Sequence, residues 1–349
     1  MNIAASADVA VLIGRFQPFH NGHAALLKAA LETAPQVIVV LGSSFHARSA
    51  RNPFTWQERA AMISNTLPGE DQDRVSFVAV RDYYEDARWS EAVRAAVVRS
   101  VPRAERITLI AYFKDASSYY LNHFPEWEQY PVKDGMDIDA TRIRRILFEA
   151  ENIDVSLSVV AELVPPAVRQ YLKAWHELQW YAPLAMEHKS VEAYKASWRS
   201  APHAPIFSTV DAVVKTAGHI LLIRRNGFPG KGLWAIPGGF LEPRERLLQG
   251  AIRELSEETQ LGVLAPTLSE ALVEVAVFDH PDRSQRGRTV THAHLFDLKT
   301  DRLPEVEGSD DAALARWMPI DQLAAMEEQF FEDHFHILDH FLHLTEGEK

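Results

Sequence analysis

Gly239 to Leu261 reads GFLEPRERLLQGAIRELSEETQL, and the spacing of its acidic residues decides how the second half of the chain is to be read. At roughly 100° per residue, a helix here puts Glu254, Glu257 and Glu258 on one narrow arc. Leu247, Leu248, Ala251, Ile252 and Leu255 form a neighbouring apolar stripe that would face a core. Like charges three and four apart destabilise a helix by roughly 0.2–0.5 kcal/mol per pair. Three such carboxylates are accounted for best by a divalent cation with oxygen ligands, the alternative being a solvated acidic face.

Upstream of this run, FSTVDAVVKTAGHILLIRR reads as two strands joined by a turn at Ala217-Gly218. Gly238 and Gly239 allow a tight turn after Trp234-Ala235-Ile236-Pro237. Further strands follow, with Ala315 to Pro319 the last, and then a closing helix. The first half has a different rhythm. From Val9 to about Phe148 the runs VAVLIG, QVIVVLG, VSFVAV and ITLIAY alternate with helices near Ala24 to Leu31, from Trp56 and from Ser90. Such alternation predicts a parallel sheet with crossover helices. Pro165-Pro166 opens a further helix, AVRQYLKAWHELQW, that closes this part. The stretch from Pro183 to Pro205 is polar and holds three prolines, so the domains are expected at 1–185 and 201–349 with a linker at 186–200.

A chain of 349 residues is long for one core, in keeping with two domains. A net charge of -12 argues against a nucleic-acid groove, which needs many cationic contacts to phosphate. There is no cysteine, which removes disulfides, thiol catalysis and thiolate zinc sites. No stretch approaches the ~18 apolar residues of a membrane span, and the N-terminus MNIAASADVAVLIGRF lacks a basic lead with a long apolar core. The expectation is a cytoplasmic protein with no membrane partner; homo-oligomer formation is left open.

The first strand runs straight into Gly14-Arg15-Phe16-Gln17-Pro18-Phe19-His20-Asn21-Gly22-His23 and a helix. Helix starts attract phosphate through unpaired N–H groups and the positive end of the dipole. Gly14 and Gly22 allow close backbone approach, and His20 and His23, three apart, can both face one phosphate chain. As bare residues, either could equally be a satisfied loop histidine.

Two resemblances gather these motifs. The Gly239–Leu261 run, with Glu245 ahead of Arg253-Glu254-Leu255-Ser256-Glu257-Glu258, resembles the signature of Nudix hydrolases. GRFQPFHNGH is similar to nucleotidyltransferases of the His-x-Gly-His superfamily, and most to the archaeal type of nicotinamide mononucleotide (NMN) adenylyltransferases. Arg51-Asn52-Pro53-Phe54-Thr55-Trp56-Gln57-Glu58-Arg59 resembles that family's Arg-x-Pro-Phe-Thr-x-x-Glu-Arg segment. Ile138-Asp139-Ala140-Thr141-Arg142-Ile143-Arg144 resembles its Ile-Ser-x-Thr-x-x-Arg segment, with Asp139 in place of serine; Lys114 to Tyr120 is similar too, with no role readable for any one residue. Taken whole, the chain resembles the bifunctional NMN adenylyltransferase/Nudix hydrolases. The implied fold is α/β: an N-terminal Rossmann-like nucleotidyltransferase domain with a parallel sheet, and a C-terminal Nudix α/β/α sandwich.

The resemblance implies adenylyl transfer from ATP to NMN in the first domain, giving NAD and pyrophosphate, with Mg²⁺ carried by ATP. Catalysis would fall to His20, His23, Arg51 and Arg144, together supplying donors and positive charge. Gly14, Arg15, Phe16, Gly22, Asp82, Trp89 and Thr141 would bind ATP and NMN. Trp89 would stack on the nicotinamide ring, an indole face attracting a cationic ring by about 0.5–2 kcal/mol; on its own it reads equally as a core residue. Asp82 reads equally as a helix cap, Thr141 as the cap of the helix holding Arg144, and Arg51 also as surface charge. In the second domain the resemblance implies hydrolysis of ADP-ribose to AMP and ribose 5-phosphate. Gly238, through its carbonyl, Glu254, Glu257 and Glu258 would hold Mg²⁺ or Mn²⁺, which acidifies water and neutralises phosphate. Asp310 and Asp311 supply the candidate general base, and Arg253 and Glu245 a structural pair. Arg224 and Arg225 read either as phosphate contacts or as ion pairs. Gln260 stands where the signature has glycine, so the helix end is expected to move to Gly262. His334, His336, His340 and His343 read as a surface-helix cluster sooner than a metal site. Two other readings stand beside this one: a Nudix half that only senses ADP-ribose or NAD, and a first domain acting on another phosphorylated acceptor.

Overall fold

The computed structural model describes residues 7–112, 116–132 and 138–345, and of 116–119 the backbone alone. Lys114 and Asp115 therefore lie outside the described residues. Its contacts divide the chain into two compact units, the first ending at Met186 and the second beginning at Glu187.

Unit 1 runs β1 (Val9–Gly14), α1 (Asn21–Thr33), β2 (Gln36–Leu41), α2 (Trp56–Ser64), α3 (Gly69–Gln72), β3 (Val75–Ala79), α4 (Asp86–Ser100), β4 (Ile107–Ala111), β5 (Glu128–Pro131), α5 (Ala140–Glu149), α6 (Ile153–Val159) and α7 (Pro166–His176). The five strands are all parallel in the order β3-β2-β1-β4-β5. Alternate side chains of β1 and β2 enter different cores. Ala10, Leu12, Val37, Val39 and Leu41 pack with Leu27, Met62, Ile143 and Leu172, while Val11, Ile13, Ile38 and Val40 pack with Val93, Val97 and Phe124. Burial on both faces is why VAVLIG and QVIVVL are continuous apolar runs and do not alternate. With β2 on one side of β1 and β4 on the other, the winding reverses at the carboxyl end of β1, where open sheets of this kind place their ligands. The Gly14–His20 loop opens there.

The stretch expected as a linker is largely helical. α8 spans Tyr181–Ser197, and the division between units falls inside it. Pro183 sits in its first turn, where a missing N–H costs nothing, and Ala, Leu, Met, Glu and Lys carry the rest.

Unit 2 continues with β6 (Ile206–Thr216), β7 (His219–Arg225), β8 (Trp234–Ala235), β9 (Gly238–Phe240), α9 (Leu247–Thr259), α10 (Ala265–Glu270), β10 (Leu272–Phe278), β11 (Arg288–Asp297), β12 (Ala312–Pro319) and α11 (His334–Leu342). Ala217 and Gly218 join β6 to β7 with φ of 45° and 73°, the two positive values that a tight hairpin turn requires. The sheet is mixed, in the order β10-β11-β6-β7-β12, with β11 and β6 parallel, β8 paired to β7 and β9 to β6. Ala212, Val214, Leu221 and Ile223 bury against Leu255 of α9 and Leu268 of α10; Val213, Ile220 and Leu222 bury against Ile337 and Leu338 of α11. Helices thus cover both faces. No helix among the described residues is long and apolar enough to cross a membrane.

Candidate functional site

In unit 1 the site begins where β1 ends. A Cβ on Gly14 would come within 2.8 Å of the Phe16 ring. Phe16 is buried at φ 52°, a left-handed backbone that costs an L-residue roughly 1–2 kcal/mol. His20 caps α1: its Nδ1 accepts from the His23 N–H, while His23 Nδ1 accepts from the His20 N–H, each at 3.3 Å. This is a capping box made of two imidazoles, whose rings stack with centroids 3.5 Å apart and planes 18° apart. Because both Nδ1 atoms accept, the proton of each neutral ring belongs on Nε2. Two parallel N–H donors therefore stand at one helix start. Burial, and then the charge of His20, hold His23 well below the ordinary histidine range. His23 accordingly brings a donor, and the positive charge expected of the set falls to its arginines.

The charge comes from arginines. Arg144 donates to the Gln17 carbonyl at 2.7 Å and to Thr141 Oγ1 at 3.1 Å. Burial, followed by the charges of Arg15 and Arg51, lowers its pKa to about 10, so both of those guanidiniums lie within electrostatic reach of Arg144. Asp139, and not Thr141, caps α5: its carboxylate accepts from the Thr141 N–H at 2.8 Å, leaving Thr141 exposed in the first turn. Asp82 caps no helix either. It accepts from the Ser43 hydroxyl at 2.6 Å and lies 3.3 Å from His46 Nε2, fixing the loop after β2. Trp89, half-buried on α4, meets Tyr120 and Phe124 edge-on at 5.6 and 5.9 Å. Gly22 is buried in the first turn of α1.

Two residues of these motifs are structural clips whose importance the sequence understated. The Gln17 amide donates to Phe54 O at 2.8 Å and accepts from Phe54 N–H at 3.0 Å, tying the first motif to the second. Arg59, fully buried, donates to the carbonyls of Arg15, Gly42 and Ser43 and to the Ser44 hydroxyl. Four charge-assisted hydrogen bonds, three of them to backbone carbonyls, hold the loops after β1 and β2 together, although burial lowers the guanidinium to about 10. Glu58 pairs with Arg48 and accepts from the Thr55 N–H at the start of α2.

In unit 2, the two glycines of β9 lie so close to their neighbours that a side chain at either would collide. A Cβ on Gly239 would be 2.4 Å from Glu254 Oε1, and one on Gly238 2.4 Å from Asp211 Oδ1. Arg253 organises the acidic arc. It donates to both oxygens of Glu245 at 3.0 and 2.7 Å, to Glu254 at 3.0 Å, to Glu257 at 2.8 Å and to Phe240 O at 3.2 Å. Glu258 is buried and accepts from the Gly238 N–H at 2.9 Å; burial pushes its carboxyl up to about 8. Burial raises Glu254 as well. Among the described residues no three carboxylate or imidazole side chains converge as a metal-holding group, since Glu254 and Glu257 are turned to Arg253. The donor set fits a hard divalent cation all the same: clustered carboxylates on one helix arc, one of them buried and held protonated by the energetic cost of its charge.

α9 ends at Gln260, which takes the left-handed conformation itself at φ 46°. The expected shift to Gly262 does not occur, because the helix stops at the position its hydrogen bonds dictate and exposed Gln260 bears only backbone strain. Residues 307–309 complete that end: Glu307 N–H and Ser309 N–H donate to Thr259 O and Glu258 O at 2.9 and 3.1 Å, and the Ser309 hydroxyl to Glu257 O. This brings the segment with Asp310 and Asp311 beside the acidic arc, where the Asp311 charge contributes to raising Glu258. Arg225 donates to Pro229 O at 3.0 Å and lies 4.3 Å over the Phe331 ring; Arg224 donates to Gly232 O at 3.0 Å.

The four C-terminal histidines are not a surface cluster. His334 and His336 are buried, and His334 Nδ1 accepts from the Ile236 N–H at 3.0 Å; His340 packs on Phe278, and His343 is the left-handed cap of α11. Sequence reasoning also missed a buried charged layer in which Arg283 holds Asp333 through two bonds of 2.8 and 3.0 Å beside Asp211 and Glu332. Arg283 lies in a polar loop, and nothing in its spacing announces burial.

Residues 206–341 match the family model of the NUDIX domain, and residues 11–146 that of the cytidylyltransferase-like family. A nicotinamide/nicotinic acid mononucleotide adenylyltransferase of Acinetobacter baylyi is 35% identical over 189 residues, 53% of this chain and 96% of the relative. An ADP-ribose pyrophosphatase of Methanocaldococcus jannaschii is 33% identical over 114 residues, 33% of this chain and 62% of the relative. The crystal structure of a bifunctional NMN adenylyltransferase/ADP ribose pyrophosphatase from Francisella tularensis, complexed with AMP and a Mn ion, matches with a TM-score of 0.87 and 34% identity over 97% of this chain and 99% of that one.

Proposed function

We propose, from the premise that the chain belongs to the bifunctional NMN adenylyltransferase/ADP-ribose pyrophosphatase family, how its residues divide two reactions. Unit 1 transfers the adenylyl group of ATP to NMN, and unit 2 hydrolyses ADP-ribose.

In unit 1 a 5′-phosphate oxygen of NMN attacks the α-phosphorus of ATP and pyrophosphate leaves, with Mg²⁺ entering as part of the nucleotide substrate. No covalent enzyme intermediate is needed, so positioning and charge neutralisation carry the rate. The Nε2–H groups of His20 and His23 donate to phosphate oxygens. Arg15, Arg51 and Arg144 offset the charge that gathers on pyrophosphate. Gly14, Phe16 and Gly22 shape the backbone against the phosphates, Thr141 adds a hydroxyl, Asp82 fixes the adjoining loop, and Trp89 offers its indole to the nicotinamide. The observations that carry this half are the stacked imidazole pair at the start of α1 and Arg144, which bonds to the loop ahead of that helix and feels the charges of Arg15 and Arg51.

In unit 2, Glu254, Glu257, Glu258 and the Gly238 carbonyl would hold Mg²⁺ or Mn²⁺, which supplies an acidified water and neutralises phosphate charge. Asp310 or Asp311, brought to the same helix end, takes the proton from the attacking water. Arg253 keeps the carboxylates on their arc, and Glu245 keeps Arg253 in place. The supporting observation is Glu258, a buried carboxyl pushed up to about 8 by burial, whose ionisation a cation beside it would favour. The direct test supplies purified protein with ATP and NMN, and separately with ADP-ribose and Mg²⁺. NAD in the first and AMP in the second are expected. Lasting ADP-ribose binding without AMP would make unit 2 a sensor and overturn the hydrolytic half.

A further inference from the structure

The turn that presents Arg51 is short and closed. The Ser49 N–H donates to Asn52 O at 3.3 Å, and the Asn52 N–H to Ser49 Oγ at 3.1 Å. Ala50, at the tip, is buried in the core on one face of the sheet, and Arg51 beside it is half-buried. Arg144, which bonds to the loop ahead of α1, feels the Arg51 charge. A guanidinium that must meet phosphate from such a turn is placed no better than the two stems beneath it.

Each stem has an anchor. After the turn, Phe54 exchanges two hydrogen bonds with the Gln17 amide. Ahead of it, Arg48 reaches across: one Nη donates to Pro53 O at 2.7 Å and to Glu58 Oε2 at 2.5 Å, the other to Glu58 Oε1 at 3.0 Å. Glu58 also accepts from the Thr55 N–H at 2.8 Å and belongs to the capping box of α2. The Arg48 guanidinium thus closes a bracket around Ser49–Asn52 whose far end is the first turn of a helix. The Trp180 ring covers it, with its centroid 5.0 Å from Cζ, and the Arg48 and Glu58 side chains are only 19% and 16% exposed. A two-nitrogen fork on a carboxylate fixes orientation as well as distance, which a single ammonium does not.

We propose that Arg48 is a positioning residue for adenylyl transfer: bridging both stems of the Ser49–Asn52 turn beneath Trp180, it fixes where the Arg51 guanidinium meets the phosphates of ATP. This rests on the reading of unit 1 as an adenylyltransferase with Arg51 among its phosphate contacts. All three Arg48 bonds go to oxygens of this chain, so its effect on the reaction passes through Arg51.

The experiment is a double-mutant cycle on NAD formation from ATP and NMN, with Arg48→Lys, Arg51→Ala and the pair together. Arg48→Lys keeps the charge and loses the fork, and is expected to lower kcat by roughly tenfold or more while KM for NMN stays. In the Arg51→Ala background the same change should alter kcat by no more than about twofold. A clip that merely stabilises the fold would instead lower the denaturant midpoint and multiply with Arg51→Ala. Should Arg48→Lys fail to fold, Trp180→Leu, at a 43% exposed position, repeats the cycle with a smaller loss that again vanishes beside Arg51→Ala. Equal losses in both backgrounds, or full kcat in folded Arg48→Lys or in Arg51→Ala, overturn the proposal. If the unaltered protein forms no NAD, the reading of unit 1 fails. Calorimetric titration of ATP into the same four proteins then decides for Arg48: non-additive losses of affinity support it, and additive losses or no ATP binding remove it.

Discussion

Unit 1 and unit 2 face the same problem, the negative charge of a phosphoanhydride, and arm themselves with opposite charges. Unit 1 carries its own cations: Arg144, coupled to Arg15 and Arg51, bonds to the loop that leads into a helix start furnished with two imidazole donors. Unit 2 presents carboxylates, two of them paired with Arg253 and a third, Glu258, pushed up to about 8 by burial. A transferase that moves a nucleotide between two phosphates can use fixed donors throughout. A hydrolase must also make water a nucleophile at neutral pH, and anions arranged to hold a divalent ion serve that end.

The sharpest way to break this contrast is to exchange the losses. Glu258→Gln is expected to lower ADP-ribose turnover by on the order of 10³-fold while adenylyl transfer persists. His23→Ala should lower NAD formation by on the order of 10²–10³-fold and spare hydrolysis. Loss of both activities in either folded variant would mean that the units do not work independently.

Stability in metal gives a second distinction. Mg²⁺ without nucleotide should raise the melting transition of unit 2, by about 2.7 kcal/mol at a hundredfold excess over Kd, and leave that of unit 1 in place. Calorimetric scans with and without Mg²⁺ would show it, and equal shifts in both would erase the contrast.

Acid sharpens the picture of unit 1. His23 is neutral when folded, with its pKa below the ordinary 6.5, so the unfolded chain binds the proton first. Its contribution is intact above about pH 6.5 and is lost progressively as pH falls below that value. His23→Asn can keep the acceptor at the helix start without the titration; denaturant midpoints at pH 8 and 5.5 should lie closer together in the variant than in the unaltered chain. The smallest effect belongs to unit 2. Gln260→Gly relieves the left-handed strain at the end of α9 and should add about 1 kcal/mol, read as a higher denaturant midpoint.

The elements that sequence exposed best were those with both period and punctuation. Continuous apolar runs at β1 and β2 announced strands buried on two faces, and Ala217-Gly218 between two such runs announced the hairpin. Local competition was harder to read. Asp139 and Thr141 are both able caps for α5, and only the backbone geometry shows the carboxylate accepting. The same holds for α8, where scattered prolines suggested a linker although Pro183 occupies the one turn that tolerates it.

By itself the sequence determined the chemistry available: imidazoles three apart behind a strand, carboxylates three and four apart on a helix, and arginines in recognisable motifs. These depend on spacing along one segment, which the helix repeat turns directly into geometry. The tertiary structure alone decided the electrical state of those groups and their partners. That burial holds His23 well below the ordinary histidine range and pushes Glu258 up to about 8, that Arg59 binds four loop acceptors and that Arg286 lies on Phe240 all follow from desolvation and from contacts between residues far apart in the chain.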